Sequence, residues 1–200
     1  EIIETGELGI PFLGRAQFHE WVPDQEDTYL KDTGFTGENP PLQDVGVHCI
    51  DTLRFLMGEV VEVMAYADKI IHRYPADTVS LLLLKLENSA YAFVDSSFCT
   101  RFTLRPQKLE VYGTKGSAFA TTIGSSFGGK LETFTADGWK SHEISEENHY
   151  LKEITHFSDC VIRDVRPAVS GEEGLKTQKA VAAAIESQKK GVKVRVSDVH

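Results

Sequence analysis

The stretch Pro41-Leu42-Gln43-Asp44-Val45-Gly46-Val47-His48-Cys49-Ile50-Asp51-Thr52-Leu53-Arg54-Phe55-Leu56-Met57-Gly58 decides how the rest of the chain is read. At about 100° per residue, Cys49, Ile50, Leu53 and Met57 fall on one stripe, the mark of a helix with a core-facing side. Asp44, His48, Asp51 and Phe55 fall on the opposite side. Asp44 sits in the first turn, where a carboxylate meets the positive helix end, and Gly58 is placed to stop the helix. Two carboxylates thus bracket one imidazole. An imidazole held in one tautomer by such a neighbour is suited to taking a proton from a hydroxyl and returning it. The same spacing also serves a bland surface contact between His48 and Asp44, worth a few tenths of a kcal/mol. Spacing does not choose between the two.

Working outward, residues 11–21 alternate as a strand, with Phe12, Gly14, Ala16 and Phe18 set against Leu13, Arg15, Gln17 and His19. Residues 22–40 are polar, rich in Asp, Gly and Pro, and without period, so they read as a long surface loop. Trp21, Tyr29 and Phe35 could either wall a pocket beside the helix or pin that loop. Beyond the helix, strands are expected at 60–71, 78–86 and 90–98, the last two joined by a turn at Glu87-Asn88-Ser89. The 78–86 strand is apolar on both sides, so both of its faces must be covered. Further strands are expected at 107–112, 117–122, 130–135 and 139–144, with turns at 113–116, 124–129 and Asp137-Gly138. Two helices follow, over 148–163 and from Ser170 to Gly191, and a short strand at 192–196 closes the chain. Ser170 and Glu173 are placed as a capping box. Consecutive strands on short turns predict an α+β fold: an open, mainly antiparallel sheet with helices on one face. A second copy of the chain is then expected to cover the other face, giving a homo-oligomer.

Composition bounds the partners. The 200 residues carry a formal net charge of −9, with the 21 basic residues scattered, which disfavours nucleic acid and anionic membranes. No apolar run approaches the ~20 residues of a membrane span. Three cysteines, Cys49, Cys99 and Cys160, form no pair at short spacing, which points to reduced thiols in a cytoplasmic setting. Cys49 and Cys160 read as small core residues. His142, His149 and His156 show no ligand spacing, so no metal is expected. Gly113-Thr114-Lys115-Gly116-Ser117 lacks the spacing of a phosphate loop and reads as a hairpin turn. No strand–turn–helix with a dinucleotide fingerprint occurs, so these residues bind no nicotinamide cofactor by their own means.

The run Asp44-x-Gly46-x-His48-x-x-Asp51, its passage into a Gly58-Glu59 turn and a strand, and the segments Val111 to Ser117, Glu153 to Phe157 and Gly171 to Leu175 resemble, in order, the substrate domain of the glucose–fructose oxidoreductase / inositol 2-dehydrogenase family. The resemblance implies an NAD- or NADP-dependent enzyme of sugars and polyols. It assigns catalysis to His48 as acid/base and Asp44 as its orienting or substrate-binding partner, with Asp51 a further candidate, either for substrate binding or as a structural hydrogen-bond acceptor. Arg15 and Trp21, on the strand leading to the helix, are expected substrate contacts. It also implies an N-terminal Rossmann domain that holds the cofactor. The chain opens on Glu1, inside what reads as a last helical turn ended by Gly6. Residues 1–200 are therefore expected to be one substrate and oligomerisation domain without its Rossmann partner, inactive alone. The competing class is a non-catalytic oligomerisation or ligand-binding module with the same fold.

Overall fold

The computed structural model describes residues 2–24, 37, 39–73, 75–102, 107–122 and 128–199. Tyr29 and Phe35 lie outside the described residues. Nine strands form one sheet: β1 (Pro11–His19), β2 (Val60–Asp68), β3 (Val79–Leu86), β4 (Tyr91–Ser97), β5 (Gln107–Gly113), β6 (Gly116–Thr122), β7 (Gly129–Thr135), β8 (Gly138–Ile144) and β9 (Val194–Arg195). Their order is β8-β7-β6-β5-β1-β4-β3-β2-β9. Every pairing is antiparallel except β1 with β4. That exception follows from connectivity, because β1 reaches β4 by a long crossover through the first helix and a hairpin cannot make a parallel pair.

The helix opens as a π-helical segment, Pro41–Gly46, and continues as α1, Val47–Met57. Asn39, fully buried, holds its start: the side-chain oxygen accepts from the Leu42 amide at 3.3 Å, and the amide group donates to Ser80 and Gln188. Gly46 leaves little room for a side chain, since a Cβ there would stand 3.0 Å from Ser96 Oγ and 3.2 Å from the Pro41 carbonyl oxygen. The wide turn can therefore lie directly on β4. Gly58, at φ 107°, ends α1 in a conformation side chains avoid. The tip of the β3–β4 hairpin closes that end, with Asn88 donating to the Met57 carbonyl at 2.8 Å.

Cys49, Ile50, Leu53 and Met57 are buried as the periodicity requires, against Ala16, Leu82, Leu84, Ala92 and Val94 of the sheet. The helix α3, Gly171–Lys190, lies over β2 and beside α1, contributing Ala180, Val181, Ala183 and Ala184 to the same core. The α+β fold expected from the sequence is thus the one observed, and the doubly apolar strand β3 sends Leu82, Leu84 and Leu86 inward while Leu81 and Leu83 stay exposed on the open face.

Three local expectations fail. The capping box does not form: Ser170 Oγ donates to Glu172, and Glu173 turns instead to Arg54 and Lys176. A largely buried guanidinium is a stronger partner for a carboxylate than one backbone amide. Residues 2–8 make hydrogen-bonded turns, with Gly6 donating to Ile3, and not the last turn of an α-helix. The helix α2, His149–Arg163, keeps its apolar spacing but does not pack on the sheet, and of its residues only Cys160 is buried. The 113–116 turn is a β-hairpin clasped by the chain before β1: Thr114 and Lys115 donate to the carbonyls of Ile10 and Leu8.

Candidate functional site

Because α1 sits over β1 and β4, the same face of the sheet continues past it as β5 to β8. Between the helix and these strands is a cleft of about 300 Å³, its walls mostly apolar: Phe18, Leu109, Ala120 and Ile144, with Thr52 and Thr122. His48 stands exposed at its mouth, its ring 6.4 Å from that of Phe18. Thr52, a turn later, spends its hydroxyl on the His48 carbonyl at 2.8 Å. Cys49 lies beneath; burial, then the charge of Asp95, pushes its thiol up to about 12, so it is no nucleophile at neutral pH. Among the described residues no cluster of three or more His, Cys, Asp or Glu side chains is placed to hold a metal.

Asp44 is exposed on the π-helical turn before His48. Near it lies Glu20, just past the end of β1. Burial, and then the neighbouring Asp44 charge, raises the Glu20 carboxyl above its ordinary value. The strand end is fixed by Glu20 donating to the Ser97 carbonyl and accepting from the Thr100 amide. The Asp44 carboxylate therefore sits one turn before the imidazole, and Glu20 feels its charge. Glu20 escaped the sequence reading because nothing in the spacing of β1 says where its end meets the helix. Thr122 escaped it too. It lines the cleft wall at the end of β6, its hydroxyl buried and without a partner among the described residues.

The other candidates fall elsewhere. Asp51 accepts from Arg54 at 3.1 Å and from Thr177 at 2.6 Å, so it ties α1 to α3. Arg15 does not meet His48: in β1 it faces the opposite side of the sheet from Ala16, over the Tyr112 ring and 3.8 Å from Glu110. Successive strand residues point to opposite faces, so Arg15 and Ala16 lie on different sides of the sheet. Trp21 is bridged to Cys99, its ring held between His72 at 4.9 Å and the Arg101 guanidinium at 3.6 Å, and it does not line the cleft.

Arg54, only 7% exposed, was not anticipated. Its guanidinium donates to both carboxylate oxygens of Glu59, to Asp51, to Thr177 at 2.7 Å and to Glu173. Burial alone would lower its proton affinity, but the bonds to Glu59 and Glu173 and the charges around it raise it overall. In return, the bond from Arg54 holds the Glu59 carboxyl below its ordinary value. A long apolar helix face with one arginine gives no sign of burial; the cue is the acid set Asp51, Glu59 and Glu173, legible only once α3 is placed.

A model of the GFO/IDH/MocA C-terminal domain matches residues 1–119. The chain is 28% identical over 209 residues to a D-apiose dehydrogenase of Rhizobium rhizogenes, covering 95% of this chain and 57% of that protein. It is 25% identical to the myo-inositol 2-dehydrogenase of Thermotoga maritima, over 100% of this chain and 60% of that one. The structure of an oxidoreductase from Agrobacterium radiobacter in complex with NAD+, L-tartaric acid and magnesium superposes with a TM-score of 0.82 at 25% identity, over 98% of this chain and 60% of the other. The chain therefore spans less than two thirds of the length of these relatives. Matched over more than half of its residues, and with its sheet and helices in the arrangement of that oxidoreductase, the chain belongs to the GFO/IDH/MocA C-terminal domain family.

Proposed function

We propose that this chain is the substrate-binding part of an NAD- or NADP-dependent oxidoreductase that works on a hydroxyl-bearing carbon of a sugar or polyol. The single observation that carries the reading is His48, exposed at the mouth of a cleft with Asp44 one turn earlier and Glu20 beside it. The named activities of the apiose and inositol dehydrogenases support the substrate class. The Gly113–Gly116 turn joins two antiparallel strands and opens no helix. The cofactor would be held by an N-terminal Rossmann domain, and when bound it supplies the hydride chemistry.

What falls to this chain is the proton. Oxidation of an alcohol removes a hydride from carbon and a proton from oxygen, and His48 receives that proton as the carbon–oxygen double bond forms; reduction returns it. Asp44 orients the ring. The apolar walls suit the C–H face of a ring or chain. Arg15 and Trp21 have no part in this assignment, and Asp51 serves the α1–α3 junction. The open sheet face, with Tyr66, Leu81, Leu83 and Tyr91 exposed, is read as the surface of a homo-oligomer, and the three free thiols fit a cytoplasmic enzyme.

The test is His48→Asn in the full-length protein. Turnover should fall about a hundredfold or more with the fold unchanged by circular dichroism. Unchanged turnover would remove the catalytic role assigned to His48.

A further inference from the structure

The turn that carries Asp44 is wound differently from the helix that carries His48, and the difference sets where the two side chains stand. In an α-helix four residues wind about 400°, so side chains at i and i+4 are about 40° out of line. Over Pro41–Gly46 the backbone is π-helical: the Val47 amide donates to the Leu42 carbonyl, five residues back and not four. Such a turn winds less per residue, which takes the offset out. Burial records the result. Pro41 with Leu42, Val45 with Gly46 and Cys49 with Ile50 are buried in pairs at an interval of four, while Asp44 and His48 are exposed at the same interval on the other side. An α-helical run from Pro41 to Cys49 would have drifted by about 80°.

We infer that the π-helical turn is a positioning device: it brings the Asp44 carboxylate into line with the His48 imidazole, and Asn39 and Gly46 are positioning residues that act through it. This rests on the dehydrogenase reading above, in which Asp44 orients the ring. A π-turn persists only where its surroundings hold it, and here it is held at both ends. At its start the buried Asn39 accepts from the Leu42 amide at 3.3 Å through its side chain and from the Gln43 amide at 3.1 Å through its carbonyl. The Asn39 amide group donates to Gln188 at 3.1 Å, and Gln188 donates to Asp77 at 2.6 Å, so the anchor is tied to α3 and to the chain before β3. At its end Gly46 lies against β4, where a Cβ would come 3.0 Å from the buried Ser96 hydroxyl. Neither Asn39 nor Gly46 lines the cleft. A ring nitrogen that donates to a carboxylate keeps its proton, so the neutral His48 ring is held in one tautomer and its other nitrogen is left to accept the proton of a substrate hydroxyl.

Nitrogen-15 NMR of the histidine rings in the full-length protein tests it, with His48→Asn assigning the signal and the pH set where the ring is neutral. Asp44→Asn should shift the His48 tautomer ratio by about tenfold, the worth of one charge-assisted hydrogen bond. Deletion of Gln43 leaves Asp44 four residues before His48 but returns the turn to α-helical winding, and should shift the ratio likewise. So should Asn39→Ala, whereas Asn39→Ser keeps an acceptor for the Leu42 amide and should hold the wild-type ratio. Circular dichroism and the amide exchange of β3 and β4 should stay as in the wild type throughout. A wild-type ratio in the deletion protein or in Asn39→Ala overturns the inference, as does a ratio that Asp44→Asn leaves unchanged. If the deletion protein does not fold, the two Asn39 variants decide alone. No readout uses substrate or turnover, so the alignment can fail while His48 stays catalytic, and His48→Asn can leave turnover unchanged while the alignment holds.

Discussion

At the scale of single residues, Glu20 shows how the site's charges bear on the fold. Its carboxyl binds a proton more tightly in the folded chain than the ordinary 4.5, through burial and then the Asp44 charge. Below that ordinary value both states hold the proton; as pH rises through the interval up to the raised folded value, the unfolded state releases it first and stability is lost. The penalty persists at neutral pH. Glu20→Gln should therefore raise the thermal midpoint at pH 7, with the gain vanishing as pH falls below 4.5. A gain that is flat with pH would remove the charge explanation. His48 and Asp44 were legible as a pair because a helix repeats on a period that sequence displays. The side on which Arg15 lies was not legible, because a strand's period of two says which residues share a face and not which face meets the helix. Glu20 and Thr122 were invisible, since each matters only through an element distant in sequence.

At the scale of elements, the strands and helices were read to within a few residues, because alternation, turn residues and caps are local. Asn148 does cap α2, its oxygen accepting from the Leu151 amide at 3.0 Å. What failed was whatever a distant element could override: Glu173 left its box for Arg54, and a helix with a clear apolar stripe gave no hint that the stripe would face away from the core. The Arg54 junction can be tested directly. Arg54→Met removes six hydrogen bonds of the guanidinium and leaves Glu59, Glu173 and Asp51 facing one another. Those carboxylates are partly in water, so the loss should be about 2 kcal/mol and not that of a fully buried pair. Glu59 adds a pH signature. Its folded value is depressed below 4.5, so it contributes stability above that value that is lost as pH falls through the folded one. Acid titration of the variant, followed by urea melts, should show a shallower loss below pH 4.5 than the wild type. An equal loss would place the acid sensitivity elsewhere.

At the scale of the whole molecule, the described residues form a nine-stranded sheet with α1 and α3 on one face and, among these residues, no helix on the other. Leu83 sits in the middle of that face, with Met64 beside it on β2 and Phe93 on β4. Around this apolar centre stand Arg15, Lys85, Asp95 and Glu110, both signs interspersed, so the face can meet a copy of itself without like charges facing throughout. Leu83→Asp places a carboxylate where a symmetric contact would bury it twice, once from each subunit. It changes nothing on the helix face, because Leu82 and Leu84, not Leu83, enter the core. The full-length variant should therefore keep its circular dichroism and its affinity for NAD(P) while light scattering shows the assembly falling to monomer. An assembly of unchanged mass would mean that the sheet face is not where copies meet. The apolar centre on β2, β3 and β4 would then need another cover, and the reason that β3 is apolar on both sides would have to be sought in that second partner.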